Sequence, residues 1–183
     1  MSWSKPILIM VAAFVAVFLE SSWDPVRKLL GAQIDLLPPL MVFAALRCGL
    51  GTVCALAIWG GLCLDALSSN PLGITVLPLF AAGFVIYLRR GLIMQDQIYA
   101  QFILGLCASA FVPLISLVML LSSRQAPQVG WGTLWQLIVM SLGGASLTPL
   151  CFGLFEAWHR AVSHRPRFET SFRPDREIKR GRN

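Results

Sequence analysis

The chain has 183 residues, of which 56% are hydrophobic and 13% are charged, and its mean hydropathy is +0.70. Soluble domains carry roughly 25% charged residues, and a soluble fold of this length has too much surface for its volume to hide so many apolar side chains. The composition therefore excludes an ordinary water-soluble domain and indicates one membrane-embedded domain. The net charge of +6 is uneven, because residues 1–158 hold seven Lys/Arg against six Asp/Glu, whereas residues 159–183 hold eight against three.

Six apolar runs are predicted to be helices, because a chain in the hydrocarbon core must pair its backbone groups internally and these runs do not alternate. In chain order they cover Pro6–Trp23, Leu36–Arg47, Leu50–Leu67, Pro71–Leu88, Ile98–Ser122 and Gly132–Trp158. The predicted fold class is therefore an all-α bundle of six transmembrane helices over residues 1–158, followed by a basic tail over residues 159–183. A crossing needs roughly 20 helical residues, which the second run does not reach. Five spans plus a re-entrant second segment remain the alternative.

Basic residues set the predicted orientation, because Lys and Arg concentrate on the cytoplasmic side of a membrane. With six spans and the N-terminus inside, twelve Lys/Arg lie inside and three outside; the five-span alternative gives thirteen and two. Both place the C-terminus in the cytoplasm, and the six-span chain has both termini there. The arginine-rich tail is predicted to be a solvated topology anchor, or to touch anionic lipid or a cytoplasmic protein, rather than nucleic acid.

Patterns typical of catalysis or cofactor binding are missing from the sequence. The five cysteines lie in apolar segments and form no Cys-x-x-Cys pair. His159 and His164 are not spaced to share one face of a helix. The sequence contains no phosphate-binding loop and no nucleophile elbow. We therefore expect no enzyme activity, no metal and no cofactor.

The segment LCLDALSSNPLGI, residues 62–74, places the carboxylate of Asp65 at the end of an apolar run. A charge at bilayer depth costs roughly 2.5–3.5 kcal/mol on insertion scales, and the dipole at a helix C-terminus also opposes a carboxylate. Asn70-Pro71 suits a helix start, with Asn as N-cap and Pro as the first residue. The third and fourth helices are thus predicted to form a tight hairpin, with the fourth beginning at Pro71.

In the six-span topology this hairpin lies on the outer face. The same face holds the charged residues Glu20, Asp24, Arg27, Lys28, Asp35 and Arg124. Three environments for Asp65 stay open at this point: interfacial water, an ion pair with a cation of this rim, or hydrogen bonds from a partner protein.

Two stretches resemble a known family. The residues Gly61, Leu64, Asp65, Ser68, Pro71, Leu72 and Gly73 match the Gly-x-x-Leu-Asp-x-x-Ser-x-x-Pro-Leu-Gly pattern of the bacterial rod-shape-determining membrane protein MreD family. The segment from Asp35 to Gly49 resembles that family's second helix, in which an acidic residue leads into a leucine-rich run ending in Leu-Arg and glycine. The Pro38-Pro39 pair departs from the family's pattern.

The resemblance implies a non-catalytic scaffold in the bacterial inner membrane, with a six-helix bundle like that of the substrate-binding S-components of energy-coupling-factor transporters. The implied partners are MreC, through its membrane helix and outer domain, and the elongasome proteins MreB, RodA and the transpeptidase of RodA. The implied partner-binding or structural rim residues are Asp35, Arg47, Asp65, Ser68, Asn70, Pro71 and Gly73.

An S-component that captures a vitamin is the alternative function. Ala12 and Ala16 have the Ala-x-x-x-Ala spacing with which such subunits dock. Against this alternative, the outer half of the chain has few of the placed polar groups that a ligand pocket needs.

Overall fold

The computed structural model describes residues 4–22, 34–68, 71–93, 97–122 and 130–162, and these residues form α-helices and no strand. The helices are α1 (Ser4–Ser22), α2 (Leu37–Arg47), α3 (Leu50–Leu67), α4 (Val76–Arg89), α5 (Ile98–Ser122) and α6 (Trp131–Val162). The predicted all-helical class is confirmed. The predicted boundary between bundle and tail at residue 158 is not a helix end, because α6 continues to Val162.

Three of the described helices are long and apolar enough to cross a membrane: α3, α5 and, over Trp131–Trp158, α6. The helices α1, α2 and α4 are apolar but contain shorter runs. Large apolar side chains stay exposed on the outside of the helices, as expected where lipid rather than water is the surrounding medium. The structure thus supports a membrane protein, while the count of six crossings remains a prediction.

The shortest helix, α2, lies at the centre of the bundle. Every residue from Leu37 to Leu46 is buried, and α2 contacts α1, α3, α4, α5 and α6. Its 11 residues span about 16 Å, well short of a hydrocarbon core of about 30 Å. A helix that is surrounded by five others does not face the lipid, so its length need not match the thickness of the hydrocarbon core.

The two prolines of α2 occupy its first turn. The first N–H groups of a helix have no intrahelical partner, so a proline there loses no hydrogen bond. The Pro38-Pro39 pair is therefore a helix start and not a break.

The start of α4 differs from the prediction, because the helix begins at Val76 and not at Pro71. Residues 72–75 form turns instead. Gly73 has φ +95°, in the left-handed region, which a right-handed helix cannot include. Asn70, the predicted N-cap, lies outside the described residues.

The helices of the core approach each other closely at glycines. A Cβ atom at Gly83 of α4 would lie 2.5 Å from Met41 Sδ and 2.9 Å from Val53 Cγ1. A Cβ at Gly60 of α3 would lie 2.7 Å from a methyl group of Leu37. These contacts set how deeply α2 fits between α3 and α4.

The long helices α5 and α6 pack as an antiparallel pair, in which Gly105 meets Thr148 and Ser109 meets Gly144. The aromatic rings of Phe43 and Phe155, with centroids 4.4 Å apart, join α2 to α6. None of the described residues 113–122 and 130–143 is buried. The far end of this pair therefore extends past the common core.

Candidate functional site

Asp65 lies in the last turn of α3, and its carboxylate organises the connection to α4. The side chain is 1% exposed. Oδ2 accepts hydrogen bonds from the backbone N–H groups of Gly73 at 2.8 Å and Thr75 at 3.2 Å. Oδ1 accepts a hydrogen bond from the Thr75 hydroxyl. Both carboxylate oxygens are thus bound by the segment that leads into α4.

The charge of Asp65 is placed favourably with respect to α4, although it opposes the dipole of its own helix. Thr75 is the N-cap of α4, and its side chain makes no capping hydrogen bond to its own helix. The N-terminal end of a helix carries unpaired N–H groups and partial positive charge. Asp65 therefore acts as the cap of α4 from α3, and its charge-assisted hydrogen bonds offset its burial.

The structure does not place Asp65 in interfacial water, and the donors to its carboxylate belong to the same chain and not to a partner protein. A carboxylate that is 1% exposed does not lie in interfacial water. Its described partners are backbone and hydroxyl groups, whereas the rim cations Arg27, Lys28 and Arg124 lie outside the described residues.

The other motif residues serve the same turn. The Ser68 hydroxyl donates to the Leu64 carbonyl at 2.8 Å and so occupies one of the last acceptors of α3. A Cβ atom at Gly61 would lie 2.9 Å from Val76 Cα, so only glycine lets the two helices approach this closely. Gly73 supplies the positive φ. Pro71 is half-buried and accepts a hydrogen bond from the Ile74 N–H at 3.4 Å.

The predicted rim residues do not form a single cluster. Asp65, Ser68, Pro71 and Gly73 come together, whereas Asn70 lies outside the described residues. Arg47 ends α2 and Asp35 precedes its start, so these two residues lie at opposite ends of a helix that rises about 15 Å from Leu37 to Arg47.

Asp35 lies toward the same end of the bundle as Asp65, because Leu37 packs against Gly60 of α3. Burial raises the pKa of the Asp35 carboxyl above its usual value, and a side-chain hydrogen bond with Glu20 of α1 lowers it in part. Asp35 and Glu20 thus join the end of α1 to the start of α2.

The raised pKa of Asp35 predicts a pH dependence of stability. A carboxyl whose pKa is higher in the folded than in the unfolded state favours folding at low pH, and this contribution is lost as the pH rises through the folded-state value. We expect the melting temperature in detergent to fall as the pH rises above about 4, and to fall less steeply in Asp35→Asn. The control Glu156→Gln, which removes an exposed carboxylate, should keep the wild-type slope. If the melting temperature fell equally steeply with pH in the wild type and both variants, this role for Asp35 would be refuted.

The opposite end of α2 is held by two arginine contacts that the sequence did not predict. Arg47 forms an ion pair with Glu156 of α6 at 3.2 Å. Arg90, just after α4, donates from Nη1 to the Cys48 carbonyl at 3.2 Å. A cation at the C-terminus of a helix is favourable for its dipole and last carbonyls, so Arg90 caps α2.

The ion pair between Arg47 and Glu156 should contribute little to stability. Its side chains are 36% and 47% exposed, and ion pairs in solvent typically contribute about 0.2–1 kcal/mol. Glu156→Gln should accordingly shift the melting temperature in detergent by no more than about 4 °C. A much larger loss would show that this pair holds α6 against α2.

Thr75 is the residue of this site that the sequence interpretation missed. A threonine directly before an apolar run suits an N-cap position, and this signal was available. Its bond to a carboxylate ten residues earlier has no helical or strand spacing that would reveal it.

No group of three or more His, Cys, Asp or Glu side chains among the described residues is arranged to hold a metal ion. All five cysteines are free thiols. No family model, curated protein or solved structure matches the chain. The arrangement around Asp65 is suited to holding a turn in one shape, because the donors it uses belong to the chain itself.

Proposed function

We propose that the chain belongs to the MreD family and acts as a non-catalytic scaffold of the bacterial elongasome in the inner membrane, with MreC as its direct partner. The observation that supports this most is the convergence of the motif residues. Gly61, Asp65, Ser68 and Gly73, which carry the sequence resemblance, all shape one hydrogen-bonded turn.

A turn fixed in this way presents a rigid surface, and a preformed surface loses little conformational entropy on binding. Leu67 and Leu72 flank the turn and are 59% and 71% exposed. In this proposal they contact MreC, whereas Asp65 is a positioning residue whose burial keeps it from touching a partner.

The wider role follows from the position of MreC in the elongasome. By binding MreC, the bundle helps couple MreB filaments in the cytoplasm to RodA and its transpeptidase, which build peptidoglycan on the other side of the membrane. The proposed topology has six spans with both termini in the cytoplasm.

Co-purification of MreC from solubilised membranes tests the proposal. We expect the tagged chain to capture MreC, and the double variant Leu67→Gln/Leu72→Gln to capture roughly tenfold less, because burying two amide groups in place of apolar side chains at an interface costs free energy. The matched control is Leu92→Gln, which changes an exposed leucine, 80% accessible, just beyond the opposite end of α4. If the two variants captured equal amounts of MreC, the turn would not be part of the interface. If the wild type captured no MreC, the proposal would be refuted.

The vitamin-transporter alternative gains no support from α1. Ala12 packs against the hydrophobic core. One of the two alanines that would dock another subunit therefore already makes its contacts within the bundle. Retention of a vitamin by the purified chain is the result that would favour this alternative.

A further inference from the structure

Two exposed tryptophans lie near the ends of α6 at a separation that matches a bilayer. Trp131 is the first residue of the helix and is 86% exposed, and Trp158, near the other end, is 57% exposed. The 28 residues from Trp131 to Trp158 span about 40 Å, which is close to the thickness of a bilayer with its headgroup regions. Tryptophan is enriched at both membrane–water interfaces. The separation thus fits Trp131 and Trp158 at the two interfaces.

The half of the α5–α6 pair that ends at Trp131 is suited to lipid along its whole length. The segments 113–122 and 131–142 contain no charged residue. Large apolar side chains are exposed there on both helices: Leu114, Val118, Leu121, Leu134, Ile138 and Leu142. Because apolar surface is unfavourable in water, this half of the pair belongs in the hydrocarbon up to the level of Trp131.

The helix α3 does not extend as far as α6. It begins at Leu50, just after Arg47, and the ion pair of Arg47 with Glu156 fixes this level on α6. The 18 residues of α3 rise about 27 Å, whereas α6 rises about 37 Å from Glu156 back to Trp131. The turn after α3 therefore lies about 10 Å nearer the centre of the bilayer than Trp131.

Contacts at the start of α2 give the same offset. Ile34 lies against Gly143 of α6, and Leu37, which is further along α2, lies against Gly60 of α3. Beyond these contacts, α3 rises about 10 Å to its end at Leu67, whereas α6 rises about 18 Å to Trp131. Since Leu37 lies deeper than Ile34, the end of α3 lies short of Trp131 by at least about 8 Å.

The side chains of the turn agree with this depth. Leu67 and Leu72 are 59% and 71% exposed. Both oxygens of the buried Asp65 carboxylate accept hydrogen bonds from the chain itself, as a charge away from water requires. Ser69 and Asn70 lie outside the described residues.

A turn at this depth needs a partner. Non-helical backbone within the hydrocarbon is tolerated only against protein or around a water-filled cavity, and Pro71, Gly73 and Ile74 are only half-buried. The exposure of Leu67 and Leu72 shows that the chain leaves this side open. Leucine favours an apolar partner over a water-filled cavity, and an apolar transmembrane helix is such a partner at this depth.

We propose that the Asp65 turn lies within the hydrocarbon of the outer half of the bilayer, and that the transmembrane helix of MreC contacts it there. The headgroup region is about 6 Å thick on each side, so a turn about 10 Å below Trp131 lies beyond it. The outer domain of MreC does not reach this depth. The identity of the partner rests on the proposed function, whereas the depth of the turn is a property of this chain alone.

Fluorescence quenching tests the depth in the full-length chain without MreC. The fluorescent amino acid acridonylalanine replaces Leu72 or, in the matched control, Trp131, in phosphatidylcholine vesicles with iodide on both sides. We expect iodide to quench position 72 several-fold less than position 131. Phosphatidylcholine with a nitroxide deep in one acyl chain should quench position 72 more than position 131. If iodide quenched both positions equally, the turn would lie in water, and the proposal would be overturned.

Photocrosslinking tests the partner. Benzoylphenylalanine replaces Leu72 in the full-length chain, which is co-expressed with MreC, and the crosslinked peptides are identified by mass spectrometry. We expect crosslinks to the membrane helix of MreC. Replacing that helix with an unrelated apolar helix should reduce the crosslink about fivefold, because packing between membrane helices depends on their sequences.

The outcomes separate this inference from the proposed function. If MreC co-purified but was crosslinked through its outer domain, or if only lipid was crosslinked, the contact with the membrane helix would be refuted and the proposed function would stand. If MreC did not co-purify at all, the proposed function would fail together with the identity of the partner. The quenching result would still decide the depth of the turn.

Discussion

Asp65→Ala should lower the free energy of unfolding by roughly 3–5 kcal/mol, because it leaves the part-buried N–H of Gly73 and both buried donors of Thr75 without their acceptor. Asp65→Asn should cost nearly as much, since an amide retains one acceptor oxygen and turns N–H groups toward the other donors. The measurement is the melting temperature in detergent, together with hydrogen exchange of the Gly73 and Thr75 amides. Both amides should exchange faster in the variants.

The control for Asp65 is Thr75→Val, which removes the hydroxyl and keeps the shape of the side chain. It deletes one of the three hydrogen bonds and leaves both backbone donors bound to the carboxylate. Because this leaves Oδ1 of a buried carboxylate without its described donor, the expected cost is roughly 1.5–3 kcal/mol. If Asp65→Ala were no more harmful than Thr75→Val, the carboxylate would not be what holds α3 and α4 together.

Gly144→Ala should destabilise the bundle by roughly 1–3 kcal/mol, because the added methyl group has no space at the crossing of α5 and α6. A Cβ atom at Gly144 would lie 2.5 Å from Ser109 Cβ and closer still to the Ser109 hydroxyl. To make room for this methyl group, the two long helices would have to move apart at their crossing. A lower melting temperature in detergent is the expected observation.

The matched control in the same helix is Gly153→Ala, since nothing lies within 4 Å of a Cβ at Gly153. This substitution should be neutral or stabilising by up to about 1 kcal/mol, because alanine favours helix over glycine. Ser109→Gly should restore part of the stability of Gly144→Ala, as neighbouring substitutions are not additive. Equal effects of the two alanine variants would show that the helices do not touch at Gly144.

Hydropathy was sufficient to find the helices whose ends coincide with a change in polarity or with a glycine. The bounds of α3 and α5 agree with the prediction for this reason, and α2 begins one residue later than expected. A hydropathy profile does not show whether an apolar helix is surrounded by protein or by lipid, because both environments are apolar. The enclosure of α2 by five helices was therefore not predictable, although its shortness was visible.

The candidate site was predictable in its residues but not in its chemistry. The motif pointed to Asp65 and Gly73. It did not reveal that the Gly73 N–H donates a hydrogen bond to the Asp65 carboxylate across a turn, eight positions away in the sequence. The same limit applies to Arg47 and Glu156, which are 109 positions apart. Contacts of this kind are set by helix packing and leave no local pattern.

Depletion of the chain in the organism that encodes it tests the scaffold proposal most directly, with rescue by plasmid-borne variants expressed at equal levels. The account predicts that depleted cells lose rod shape and become round. The wild type and Leu92→Gln should restore rods, whereas Leu67→Gln/Leu72→Gln should not. Depleted cells that keep their rod shape and elongate normally would contradict it.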